Sequence, residues 1–91
     1  MSEIQSLARG LKILNLLGQN GDGISVIELA EHLGVDKGSA SRLLATLAAY
    51  GFVEKEEVTR RYQLGAQIVS LSRSALARSP LADGASMAIH E

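Results

Sequence analysis

The chain contains no cysteine, no tryptophan, one proline and one phenylalanine among its 91 residues. Without cysteine, neither a disulfide frame nor a thiolate metal site can form, which suits a reducing cytoplasm. So little proline and aromatic surface, in a chain that is 46% hydrophobic and 21% charged, predicts a helix-rich domain rather than a sheet sandwich. No stretch approaches the roughly 18 apolar residues of a membrane span, and the N-terminus has no charged leader followed by an apolar run. The expected location is therefore the cytoplasm, away from membranes. The two histidines, His32 and His90, and acids scattered over different segments give no metal-ligand spacing and no nucleophile with a base beside it. The sequence thus predicts a protein that is not an enzyme and needs no metal or cofactor. Ninety-one residues provide one small core and no second one.

Charge of one sign is also lacking, since the formal net charge is only −1, which by itself argues against nucleic acid. Its distribution argues the other way. Residues 1–36 carry Arg9 and Lys12 against Glu3, Asp22, Glu28, Glu31 and Asp36, a net −3. Over residues 37–61, Lys37, Arg42, Lys55, Arg60 and Arg61 outweigh Glu54, Glu56 and Glu57 by 2. Positive charge gathered in one part of a chain is the footprint expected of a DNA-binding face, although the skew is small.

What is present organises itself around Asp36 to Gly51. Ala40, Leu43, Leu44, Leu47 and Ala48 recur at the spacing of a helix face buried against a core. The opposite face carries Gly38, Arg42, Ala45 and Ala49, with Ser41 and Thr46 at its edges. A slim face with one long cation, two hydroxyls and alanines suits a helix that enters a major groove about 12 Å wide. Taken alone, it suits equally well one helix of a small bundle with a solvated outer face. Asp36 stands where a helix start is capped and Gly51 where a left-handed C-terminal residue is wanted.

Upstream, a first helix is expected over residues 4–20, with Ser6 as its cap and Leu7, Leu11 and Leu14 as its core line. Ile13 and Leu16 fall off that line, so they either meet a partner or wedge between helices of the same domain. Asn20-Gly21-Asp22-Gly23 ends the helix. Ser25-Val26-Ile27-Glu28 then has the spacing of a capping box, with Ile24 and Leu29 placed as a hydrophobic staple. Gly34 closes this short helix at a corner, and Ala30, four residues earlier, is small enough for a close crossing. His32, Glu28 and Glu31 are read as solvated surface residues. Small residue, tight glycine corner and polar-faced second helix form the helix-turn-helix pattern.

After Gly51 the period shifts toward two. Phe52–Glu56 and Tyr62–Leu64 read as strands of a hairpin around Glu57-Val58-Thr59-Arg60-Arg61. This hairpin is a wing beside the reading helix, and Arg60 and Arg61 near its tip could reach phosphates or the minor groove. A solubilising turn is the alternative, given Glu54, Glu56 and Glu57. Beyond Gly65, residues 66–79 form a helix with Ile68, Leu71 and Ala75 on one face, stopped by Pro80.

The chain resembles the N-terminal DNA-binding domain of the IclR family of bacterial transcription regulators. The residues that carry the resemblance are Ser6-Leu7-Ala8-Arg9 with Leu14, Ser25-x-x-Glu28-Leu29-Ala30-x-x-Leu33-Gly34, Lys37-x-Ser39-x-x-Arg42-Leu43-Leu44-x-Thr46-Leu47, Gly51-Phe52-Val53 and Thr59-x-Arg61-Tyr62-x-Leu64-Gly65. It extends from about residue 6 to residue 79. Asp36 departs from the proline often found there, Gly38 and Ala40 from larger residues, and Arg60 from a turn glycine. The resemblance implies a winged helix-turn-helix over residues 1–65, a linker helix over 66–79, and the start of a C-terminal effector-binding domain over 80–91, poorly ordered on its own. It also implies dimeric binding of a near-palindromic operator, with a small-molecule effector acting only through the larger C-terminal domain.

The resulting expectation is a mainly α fold: a three-helix core with a two-stranded β wing, followed by a linker helix. Ser39, Ser41, Arg42 and Thr46 would face base edges or adjacent backbone of double-stranded DNA, and Ser25, Lys37, Arg60 and Arg61 would anchor phosphates. Ile13, Leu16, Ile68, Leu71 and Ala75 would pair two copies in a homodimer. The chain reads as a piece of a longer regulator rather than a naturally short one. The rival class is a winged-helix docking module for proteins, which the surplus apolar faces of the first and last helices would fit.

Overall fold

The computed structural model describes residues 2–78. In chain order it has helix α1 (Gln5–Gln19), helix α2 (Val26–Leu33), helix α3 (Lys37–Ala49), strand β1 (Val53–Lys55), strand β2 (Tyr62–Leu64) and helix α4 (Ala66–Arg78). This is the expected winged helix. The predicted beginning of an effector domain at 80–91, with Pro80 and His90, lies outside the described residues, as does residue 79.

Local chemistry accounts for most of these boundaries. Ser25 caps α2 by accepting from the Glu28 N–H at 3.1 Å, and the Glu28 carboxylate accepts from the Ser25 N–H at 3.0 Å. Two orphan amides are satisfied reciprocally, which is why so short a helix has a defined start. Gly34 ends it with φ +69, donating back to Ala30 and Glu31, a corner that a side chain would strain. Asp36 caps α3 through the Ser39 N–H at 3.1 Å, and Gly51 follows α3 with φ +81.

The first helix begins differently from the sequence expectation. Its N-cap is Ile4, with no side-chain cap bond, and Ser6 lies inside the helix. At the other end the Asn20 side-chain amide donates to the Leu16 carbonyl at 2.8 Å and covers an orphan acceptor. The core line is also rotated. Gly10, Ile13 and Leu17 are the buried residues of α1, whereas Leu7 and Leu11 are 60% and 53% exposed. Ile13 therefore cannot supply a dimer surface, because it is wholly enclosed with Leu17, Ile24, Leu29, Leu44 and Val53. Leu16 is half-buried against that cluster. Enclosing each such aliphatic side chain stabilises the fold by about 1.5–3 kcal/mol, which outweighs a preference to keep it for a partner. Ala48, expected in the buried stripe of α3, is exposed; Ala40 and Leu44 alone are fully enclosed there.

The strands pair antiparallel in the register Val53 to Leu64, Glu54 to Gln63 and Lys55 to Tyr62. Tyr62 bonds in addition to Ile24, its N–H to the Ile24 carbonyl at 2.8 Å and its carbonyl to the Ile24 N–H at 3.0 Å. The turn before α2 thus acts as a third, one-residue strand and joins the wing to the helix-turn-helix. Gly23 permits this with φ +86, since a Cβ there would come within 2.9 Å of the Tyr62 carbonyl. Gly65 is needed where the wing returns: a Cβ would run into the Gly51 carbonyl oxygen, which instead accepts the Gln67 N–H at 3.0 Å as α4 begins. None of the residues of α4 is buried, and Val69 and Leu71 are 52% and 48% exposed.

Candidate nucleic-acid interface

The outer strip of α3 is open from end to end: Gly38, Ser41, Arg42, Ala45, Thr46 and Ala49 are all exposed. At its N-terminus three residues form a chain of bonds. Asp36 takes the Ser39 N–H on one carboxylate oxygen and the Ser39 hydroxyl on the other, the latter at 2.6 Å. Those bonds from Ser39 hold the Asp36 carboxyl below its ordinary value. The Ser39 hydroxyl oxygen in turn accepts from the Arg42 guanidinium at 3.4 Å. A Cβ at position 38 would sit 3.0 Å from Asp36 and 3.9 Å from the guanidinium, so the glycine leaves room for this arrangement. The departures at Asp36 and Gly38 therefore belong together: the anion is occupied in capping, and the missing side chain clears a path beside Arg42.

The other candidate residues divide by what they already bond. Ser41, Lys37 and Arg60 are exposed and make no side-chain hydrogen bond or ion pair among the described residues. Thr46 donates its hydroxyl to the Arg42 carbonyl at 3.0 Å and sits at the edge of the strip, where it also lines an apolar groove. Ser25 is held in the capping box, where the Ser25 backbone N–H is the main cause of the lowered Glu28 carboxyl, aided by the nearby Arg61. At the wing tip, Arg60 adopts φ +62, the left-handed conformation that the position usually gives to glycine. The Glu56 carboxylate anchors this loop on the Thr59 N–H at 2.8 Å and is thereby held below its ordinary value. Arg61 does not project from the tip. Its guanidinium donates to the Gly23 carbonyl at 2.9 Å and lies 3.5 Å from Glu28.

Sequence reasoning missed the partners of Arg61. Gly23 appeared only as a turn former and Glu28 only as a capping and solvated surface acid, and no local spacing links either to a residue more than thirty positions away. It also missed the Lys55 ammonium over the Tyr62 ring, 5.7 Å from its centre. Among the described residues no group of three His, Asp or Glu side chains could hold a metal ion, and no helix is long and apolar enough to cross a membrane.

On the other side, α1 and α3 frame an open apolar groove of about 490 Å³, lined by Leu7, Leu11, Leu14, Leu43, Leu47 and Tyr50 among others. Leu7 and Leu11, which periodicity assigned to the core, are its outer wall. Of the predicted pairing residues on α4, Leu71 and Ala75 are exposed and Ile68 is half-buried.

Comparisons with known proteins agree with this geometry. The model of the IclR helix-turn-helix domain matches residues 6–57. The glycerol operon regulatory protein of Streptomyces griseus is 42% identical over 73 residues, which are 80% of this chain and 29% of that protein. The transcriptional repressor IclR of Escherichia coli is 31% identical over 74 residues, 81% of this chain and 27% of its own length. The crystal structure of an IclR transcriptional regulator from Alicyclobacillus acidocaldarius superposes with a TM-score of 0.80 at 31% identity, covering 88% of this chain and 32% of that one. The chain thus spans under a third of the length of these relatives, each named as a regulator, repressor or regulatory protein. A matching family model, a shared winged-helix architecture and an exposed, capped second helix of the helix-turn-helix converge on one assignment: the chain belongs to the IclR family and carries the helix-turn-helix DNA-binding domain of a transcriptional regulator.

Proposed function

We propose that this domain reads a near-palindromic operator as a homodimer in the cytoplasm, with α3 of each copy in the major groove of one half-site. The observation that carries this reading is the open strip of α3, with Arg42 drawn toward its N-terminus by Ser39 and flanked by Ser41. Arg42, Ser41, Ser39 and Thr46 are assigned to base edges and the adjacent backbone, and Lys37, Ser25 and Arg60 to phosphates. Ser39 and Thr46 act largely through bonds they already make: one orients the guanidinium and the other fixes the helix backbone beneath it.

Pairing of the two copies falls to the apolar surface outside the core. Leu7 and Leu11 replace Ile13 on the first helix, alongside Ile68, Leu71 and Ala75 on the linker helix. A small-molecule effector acts only through the remainder of the longer regulator and makes no contact with the residues described here. A protein-docking role would use the same apolar groove, and salt separates the two. DNA binding weakens steeply with ionic strength through counterion release, whereas apolar docking scarcely responds.

The test is selection of this chain on a pool of random duplexes at two salt concentrations. Enrichment of paired half-sites about one helical turn or a multiple apart, weakened by salt and abolished by Leu11→Asp, is the expected result. Enrichment of single half-sites that Leu11→Asp leaves unchanged would refute the dimer while leaving the reading helix in place. If nothing is enriched, a fused dimeriser distinguishes a missing pairing surface from a missing reader.

A further inference from the structure

We propose that Arg61 is a positioning residue that sets the wing against the helix-turn-helix, and that it is not itself a DNA contact. This rests on the reading of the wing as a DNA-facing element.

Arg60 and Arg61 are adjacent cations at the wing tip, yet the left-handed backbone at Arg60 (φ +62) sends them different ways. Arg60 remains exposed. Arg61 folds inward across the sheet to the turn between α1 and α2, where one guanidinium nitrogen meets the Gly23 carbonyl at 2.9 Å and the Glu28 carboxylate at 3.5 Å. Both acceptors are structural parts of the helix-turn-helix. Gly23 ends the turn whose next residue, Ile24, exchanges two backbone bonds with Tyr62, and the same Glu28 oxygen that faces Arg61 caps α2. Thus one side chain clamps the wing strand to the N-terminus of α2, directly beside the backbone bridge.

The clamp has a second consequence. Glu28 is a carboxylate at the start of α2, next to Ser25, and it would repel a phosphate approaching there. The Arg61 charge 3.5 Å away offsets it. A guanidinium spent in this way is not free to release counterions from DNA. The wing's phosphate contact is left to Arg60, whose position is fixed by the neighbour that holds the strand in place.

Two readouts test this in the 91-residue chain. The first is hydrogen exchange of the Tyr62 N–H without DNA. Arg61→Ala should speed it by about tenfold, because the bridge to Ile24 opens locally, while Arg60→Ala leaves it unchanged. The second is the salt dependence of binding to a mixed-sequence duplex, which needs neither the operator nor a dimer. Arg61→Ala should weaken binding by about fivefold, the scale of one lost hydrogen bond. Arg60→Ala should lower the slope of log affinity against log salt by about 1. The double variant decides between the roles. Its slope should match that of Arg60→Ala alone, whereas a further fall of about 1 would make Arg61 a phosphate contact and overturn the proposal. Unchanged Tyr62 exchange in Arg61→Ala would overturn it as well. If Arg61→Ala does not fold, Arg61→Gln removes the same charge while keeping the aliphatic stem of the side chain. A slope that Arg60→Ala does not alter would remove the wing contact proposed above without touching the exchange result.

Discussion

The two long faces of this domain handle their side chains in opposite ways. On the polar face, most bonding groups are consumed locally. Ser25 and Glu28 satisfy each other's backbone, Asp36 and Ser39 do the same one helix later, Thr46 bonds the carbonyl of Arg42, and Arg61 bonds across the sheet. Arg42 keeps only a long bond to Ser39, and Lys37, Ser41 and Arg60 keep none among the described residues. On the apolar side of α1 and α3, Leu7, Leu11 and Tyr50 are left more than half exposed, and on α4 Val69 and Leu71 are about half exposed. Residue type alone therefore does not say which groups are available to a ligand. Availability is what remains after capping and packing have taken their share.

The largest effect should come from the residue that serves both faces. Leu44 is completely buried on the inner side of α3, and Leu44→Ala should cost about 2–5 kcal/mol of stability in chemical denaturation. Such a loss would take the reading strip and the apolar groove down together, and a cost well below that range would show that the two faces hold up independently. Next, Arg42→Ala should cost about 1–3 kcal/mol on a selected site and relax preference at one base pair, measured by titrating single-base variants of that site. An equal loss on every sequence would make Arg42 a phosphate contact and erase its distinction from Lys37. Smaller still, Ser25→Ala should lower stability by about 1 kcal/mol through loss of the cap, followed as a thermal midpoint. If Ser25 is also a phosphate ligand, DNA binding at fixed folding will fall as well.

Acid should act on the polar side of the domain with the smallest effect, because its caps and loop anchor are carboxylates. Glu28, Asp36 and Glu56 all have carboxyl pKa values lowered in the folded state, each chiefly by hydrogen bonds from Ser25, Ser39 and Thr59 respectively. A lowered folded value means that the folded state binds its proton later than the unfolded one. The contribution of these caps is complete above the ordinary carboxylate values of 4.5 for Glu and 3.8 for Asp, and is lost as pH falls from there through the lowered values. Thermal midpoints should therefore be flat near neutrality and drop in acid, and Glu56→Gln should remove part of that drop. The apolar face contributes nothing to this dependence.

Much of this fold was legible in the sequence because it rests on bonds between residues three or four apart. Ser25 with Glu28, Asp36 with Ser39, the left-handed Gly34 and Gly51, and the strands on either side of the wing loop are all local patterns, and each lies where it was expected. The α1 face was not legible. Leu7, Leu11 and Leu14 form one helical line and Ile13 and Leu17 another, so periodicity offers two candidate interiors. The choice depends on what α2, α3 and β1 present to the helix. The start of α1 failed for a related reason: Ser6 is a good capping residue, but nothing local prevents the helix from extending back past it to Ile4.

The candidate interface divides in the same way. The helix-turn-helix, α3 with Arg42 on its outer strip, and a hairpin with two arginines near its tip could all be read from the residues alone, because caps, glycine corners and helical spacing act within one turn of chain. It took packing between elements to place Ile13 in the core, to leave Leu7 and Leu11 facing outward, and to turn Arg61 inward while Arg60 stays exposed. Those outcomes depend on pairs such as Arg61 with Gly23 and Tyr62 with Ile24, brought together across nearly forty residues. Their bonds exist only once the sheet and the turn have packed.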